Sequence, residues 1–225
     1  MAFLTETLIQ QGIPKEMIIL ILMLPIIATI IAFSRQVIGI RAFGLYTPLI
    51  LTFSFVGTGI KFGLMVFATV ITVSTIIRFL SKKFRLLYLP RIGFIITITS
   101  LIILLLFYLE IFNLKNTYLY SLISVILIII LLEKFLAAQI ERGFKIALTL
   151  TIETLLLAVV GYFIISWPSL QKFVINFPLI VLGAAIVINI FLGKWTGLRI
   201  YEYFRFREAL RHIEPKTKKR VNYKL

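Results

Sequence analysis

Glu153, in the run LTLTIETLLLAVVG, is the one acid placed well inside an apolar stretch of this chain. A carboxyl group there is costly unless it faces other helices, pairs, or keeps its proton. Two roles fit it. It can relay or gate a proton or cation, or it can be a neutral acid hydrogen-bonded across helices to a threonine, a tyrosine or an asparagine such as Asn189. A second constellation is RQVIGIRAFGLYTP, residues 35–48, which sets Arg35, Gln36 and Arg41 between two uncharged runs. Gly39 and Gly44 allow a tight surface loop there, and Pro48 starts the helix that follows. Arginine in such a connector either anchors it at lipid headgroups or offers a planar fork to a carboxylate or phosphate. Lysine would serve the first purpose as well, but not the second.

Most catalytic templates fail on inventory. Cysteine is absent, all nine acids are glutamate, and the single histidine is His212, far along the chain in a polar stretch. That leaves no thiolate nucleophile, no serine–histidine pair within the apolar region, no aspartyl dyad and no acidic or histidine-rich metal cluster. Residues 39–44 have the GxxxxG spacing of a phosphate loop, but Leu45 and Tyr46 stand where the lysine and hydroxyl are needed. No cofactor, metal or nucleotide site is expected. An enzyme would have to work through Glu, Lys, Tyr and Arg alone, with Arg41, Glu153 and a tyrosine in one cavity.

The elements that must position these residues follow from composition. The chain is 60% apolar and only 15% charged over 225 residues, against about 45–50% and 25% in soluble domains. Hydrocarbon must therefore solvate much of it. The net charge of +15 does not imply nucleic acid, because the basic residues fall in clusters between apolar runs and not along one water-exposed face.

A membrane span needs about 20 mostly apolar residues. Seven stretches qualify: 15–33, 43–56, 62–80, 92–109, 117–132, 146–165 and 174–192. The second is short and carries Pro48. Backbone groups must be satisfied within lipid, and the alternation of a β-barrel is missing, so the expected fold is an all-α bundle of seven transmembrane helices. Residues 1–14 read as a short amphipathic lead-in, 15–193 as the membrane domain, and 194–225 as a basic aromatic tail. No internal repeat or low-complexity segment is seen.

Twenty of the 24 lysines and arginines lie in alternate connectors and the tail, and only Lys15, Lys61, Lys115 and Lys172 lie in the others. By the excess of positive charge on cytoplasmic loops, the first group faces the cytoplasm. This puts the N-terminus outside and the C-terminus inside. Gly59–Gly63 and Gly193–Gly197 have the GxxxG spacing that permits close helix contact. Their plainer reading is a tight turn at 57–59 and a loosened helix end at Gly193. The KTKKR stretch of the tail suits anionic lipid.

With the connectors placed, the order of motifs resembles a known family. RQVIGIRAFGLYTPLI followed by FSFVGTGIKFGL, then LLYLPRIGFIITI around Pro90 and Arg91, ILLEKF, and GKWTGLRIYEYFRFR are similar to the seven-transmembrane domain usually fused to an inactive transglutaminase-like domain. On this resemblance Arg35, Gly39, Gly44, Pro48, Arg91, Gly197 and Arg199 fall on motif positions, without an assigned role. The resemblance implies a prokaryotic plasma-membrane protein. It further implies an accessory role beside an ATP-grasp ligase-like protein of a peptide-modifying system. Only about 14 residues precede the first expected span, so a transglutaminase-like domain is expected, if at all, on a separate chain. The expected function is a non-enzymatic scaffold embedded in membrane lipid, docking a cytoplasmic partner or anionic lipid. The alternative is a small transporter or channel using Glu153 and the Arg35–Arg41 loop.

Overall fold

A computed structural model describes residues 3–81, 87–108 and 118–194. Among them the chain forms nine α-helices and no strand. The helices are α1 (Phe3–Gln10), α2 (Lys15–Phe33), α3 (Tyr46–Thr58), α4 (Ile60–Ser81), α5 (Tyr88–Tyr108), α6 (Tyr118–Arg142), α7 (Phe144–Ile165), α8 (Pro168–Asn176) and α9 (Pro178–Gly193). A π-helical turn, Ser34–Ile38, extends α2.

Among the described residues, three helices are long and apolar enough to cross a membrane: α2 with its π turn, α4 and α7. The stretch expected to form the last span is not one helix. It breaks at Phe177 into α8 and α9, which meet at 101° and together make a fourth candidate span. Pro178 causes the break: it has no N–H to donate and crowds the residue before it out of the helical region. Phe177 accordingly sits at φ −130°, ψ 55°.

The weakest expected span, 43–56, forms the centre of the molecule. Helix α3 packs against α2, α4, α6 and α7, and Leu51, Thr52, Ser54 and Phe55 are fully buried. Its 13 residues extend about 20 Å at 1.5 Å each, short of a hydrocarbon core of about 30 Å. Protein surrounds this helix, so it can carry threonine, serine and proline where a lipid-facing helix would not. The outer helices show the opposite pattern: Ile152, Leu156, Val160 and Phe163 of α7 recur at helical spacing and are exposed. An apolar stripe of this kind suits lipid, which tolerates apolar side chains on the outside of a bundle.

Hydroxyls inside the bundle satisfy themselves locally. Thr52, Ser54, Thr99, Thr151 and Thr154 each donate to the carbonyl four residues earlier, at 2.6–2.9 Å. This removes a polar group from the apolar interior without a partner helix.

Two of the single-residue junctions are glycines. Gly59 (φ 78°) joins α3 to α4, and Gly143 (φ 86°) joins α6 to α7. Both have a positive φ that a Cβ disfavours, and each joins two helices without a loop. The expected turn at 57–59 is thus narrower than the sequence suggested. Gly63 has a separate duty: an added Cβ would lie 2.4 Å from Phe55 Cδ1, so glycine lets α4 close on α3.

Among the described residues, contacts between helix ends bring the 39–45 connector, the ends of α4 and α6 and the end of α9 to one end of the bundle. Phe43 of the 39–45 connector packs against Phe135 and Ala138 of α6 and Ala147 and Leu150 of α7. Arg78, near the end of α4, donates to Gln139 near the end of α6. Gln36 Nε2 donates to the Leu192 carbonyl at the end of α9.

Candidate functional site

The structure brings Glu153 and the 35–45 connector together. The contact differs from a guanidinium fork: the backbone N–H of Arg41 donates to Glu153 Oε2 at 2.5 Å. Two residues on, the N–H of Phe43 donates to Thr154 Oγ1 at 3.1 Å, and that hydroxyl in turn donates to the Leu150 carbonyl at 2.6 Å. Two adjacent side chains of α7 therefore hold alternate amides of the connector, which suits an extended strand of chain lying on a helix. Asn189 has other work. Its Nδ2 donates to Thr29 Oγ1 (2.7 Å) and to the Ala185 carbonyl (2.9 Å), tying α9 to α2. Asn189 is therefore not the partner of Glu153.

The connector is half-sunk, where a surface loop was expected. Ala42 is buried and Phe43 half-buried, while Arg41 and Gly44 face outward. Glu153 is the tenth residue of α7, about 14 Å along that helix, so the connector dips to the depth of the third turn. The π turn lets it do so. Gly39 closes that turn at φ 97°, and the N–H groups of Gly39 and Ile40 both donate to the Ser34 carbonyl, at 3.0 and 3.2 Å. Gly44 (φ 73°) makes the opposite bend, its N–H donating to the Ala42 carbonyl at 2.7 Å. Pro48 is the third residue of α3 and has no N–H to leave unpaired in the first turn.

The arginines divide. Arg35, on the π turn, is half-buried, and its Nε is sealed from solvent without a hydrogen-bond partner among the described residues. Next to it, the 2.7 Å bond from Gln36 to the Leu192 carbonyl pins the turn to α9. Arg91 lies elsewhere, near the start of α5. Close to it Arg78 grips Gln139, with Nη1 donating to the side-chain oxygen (2.7 Å) and Nη2 to the backbone oxygen (2.9 Å). Gln139 is 1% exposed and donates on to Thr75 at 3.2 Å. The sequence reading missed this Gln139 knot and the role of Thr154. A lone amide in an oily helix signals a buried hydrogen bond as Glu153 does. Gly193 ends α9, and Pro90 is the third residue of α5. Gly197 and Arg199 lie outside the described residues.

A crevice between α3, α4, α6 and α7 is lined by Phe43, Thr47, Leu51, Phe135, Thr151 and Thr154, among others. Phe43 belongs to the strapped connector. Among the described residues no tyrosine hydrogen-bonds to Glu153, and no group of three metal-ligating side chains forms.

Apolar helices with lipid-facing stripes, a buried polar centre and basic connectors define a polytopic α-helical membrane protein. The family model described as seven transmembrane helices usually fused to an inactive transglutaminase matches residues 4–210, and the chain belongs to that family. No curated protein and no solved structure gives a significant match.

Proposed function

We propose that this chain is a non-catalytic membrane scaffold whose basic end faces the cytoplasm of a prokaryotic cell and docks an acidic partner or anionic lipid. In this reading it crosses the membrane seven times, with the N-terminus outside. One observation carries it: among the described residues, the helix ends and connectors that hold Arg35, Arg41, Arg78, Arg142 and Lys145 meet at one end of the bundle. Gln36 meets Leu192, Arg78 meets Gln139, and Phe43 meets the α6–α7 turn. A basic surface beside an apolar belt attracts anionic headgroups and acidic proteins alike. The family resemblance makes an ATP-grasp ligase-like protein the partner to try first, and a separately encoded transglutaminase-like domain the one to try on the opposite face.

The full chain in detergent, mixed with such a ligase, should retain it at low salt. It should lose it when Lys134, Arg142 and Lys145 are neutralised together. Retention that ignores both salt and these substitutions would end the reading. The chain has no cysteine, so single introduced cysteines at 142 and 172 report sidedness directly. Labelling of both from the same compartment would overturn the orientation.

A second reading, a small transporter, draws on the short α3 and on the break between α8 and α9, since interrupted helices commonly build substrate sites. Reconstituted vesicles showing proton or solute flux that Glu153→Gln abolishes would favour it.

A further inference from the structure

We propose that Arg35 is a binding residue for a phosphate group at the membrane boundary, held ready by the π turn. This inference deepens the docking reading above and rests on it. Three observations on one short segment support it.

First, Arg35 Nε is sealed from solvent, yet no described residue accepts its hydrogen. Buried donors of this kind are rare, and each calls for an acceptor such as an ion or ligand group. Second, the side chain sits on a π-helical turn, Ser34–Ile38. Such turns are locally unfavourable and recur at functional sites. This one is pinned on both sides: Gln36 bonds the Leu192 carbonyl at 2.7 Å, and Gly39 and Ile40 close on the Ser34 carbonyl. These bonds hold the backbone that carries the guanidinium. Third, the turn lies at the end of the bundle where the basic connectors meet, and no carboxylate pairs with Arg35 among the described residues.

The ligand chemistry follows from the donor. A guanidinium offers its N–H groups as a planar fork that fits two oxygens of one phosphate or carboxylate. At the headgroup level of a bilayer the abundant anion is phosphate, carried by lipid, and basic pockets between membrane helices take such headgroups. A free phosphate would offer the same oxygens. The site thus selects a phosphate ester, and its neighbours decide whether an acyl chain comes with it.

The experiment uses the delipidated full chain in a neutral detergent. Short-chain phosphatidylglycerol, the matching phosphatidylcholine, a fatty acid of equal chain length and inorganic phosphate are titrated separately, with bound ligand counted by native mass spectrometry. Wild-type protein should hold phosphatidylglycerol. Arg35→Ala should weaken it about tenfold or more, the scale of one charge-assisted bond lost. Arg35→Lys should fail to restore it, because an ammonium cannot form the planar fork. Lys172→Ala, at the far end of the bundle, should bind as wild type and so control for net charge. Inorganic phosphate that competes in the millimolar range would assign the site to free phosphate. No competition assigns it to the lipid headgroup.

Three results would overturn the proposal: Arg35→Ala binding as wild type, Arg35→Lys binding as wild type, or the fatty acid binding as well as the phospholipid. Should Arg35→Ala fail to fold, the Arg35→Lys comparison decides alone. Normal lipid binding by Arg35 variants, with ligase docking still lost on neutralising Lys134, Arg142 and Lys145, would sink this site and leave the docking reading standing.

Discussion

Glu153 is the sharpest place to separate a structural carboxylate from a working one. In the structure it accepts the N–H of Arg41 and so fastens the 39–45 connector to α7. Glutamine keeps an acceptor oxygen at the same reach, whereas alanine removes it. A hydrogen bond to a charged group contributes about 1.5–3 kcal/mol when dry. Arg41 faces outward and Glu153 is only half-buried, so water can replace part of the bond, and screening lowers the loss to about 1 kcal/mol. For a chain of this length that corresponds to roughly 2–4 °C in the thermal midpoint. Glu153→Ala should therefore lower the midpoint in detergent by that amount, and Glu153→Gln by less than half of it. Amide hydrogen exchange should quicken at residues 40–44 in the alanine variant and stay near wild type in the glutamine variant. If alanine leaves both midpoint and exchange unchanged, Glu153 does not hold the strap. If glutamine costs as much as alanine, the charge and not the acceptor matters, and the relay role regains ground.

Close packing at Gly161 gives a test of the core. A Cβ there would lie 2.6 Å from Thr52 Oγ1 and 2.9 Å from Thr52 Cγ2, and Thr52 is held by its bonds to the Pro48 and Ala158 carbonyls. Gly161→Ala should cost about 1–3 kcal/mol by overpacking, and Thr52→Ala should recover part of that loss in the double variant, read as a non-additive shift of the thermal midpoint. Gln139→Leu should lower the midpoint more than Gln139→Glu, because glutamate keeps the acceptor for Arg78 Nη1. Equal losses would show that shape rather than the hydrogen bond sets the value of this position.

What could be read from the chain alone was its solvent. Long uncharged runs broken by basic clusters require lipid around the helices, whatever their arrangement, because hydrocarbon tolerates neither loose backbone nor scattered charge. Gly39 and Gly59 take positive φ and Pro48 falls in the first turn of α3, positions that glycine and proline suit because their backbone geometry is local. Length and Pro48 made 43–56 the weakest expected span, yet its short apolar helix, YTPLILTFSFVGT, is the buried centre, since a protein-lined helix need not resemble a lipid-lined one. Hydropathy also ran 174–192 together as one span, where Pro178 makes a 101° bend. Only the tertiary structure could decide partners. Residue types alone let Glu153 meet any polar group on several helices, and its bond to a backbone amide leaves no trace in them. The same holds for Arg35, whose unpaired nitrogen is a property of its surroundings, because every side chain carries its charge in the sequence but acquires its neighbours only when the chain folds.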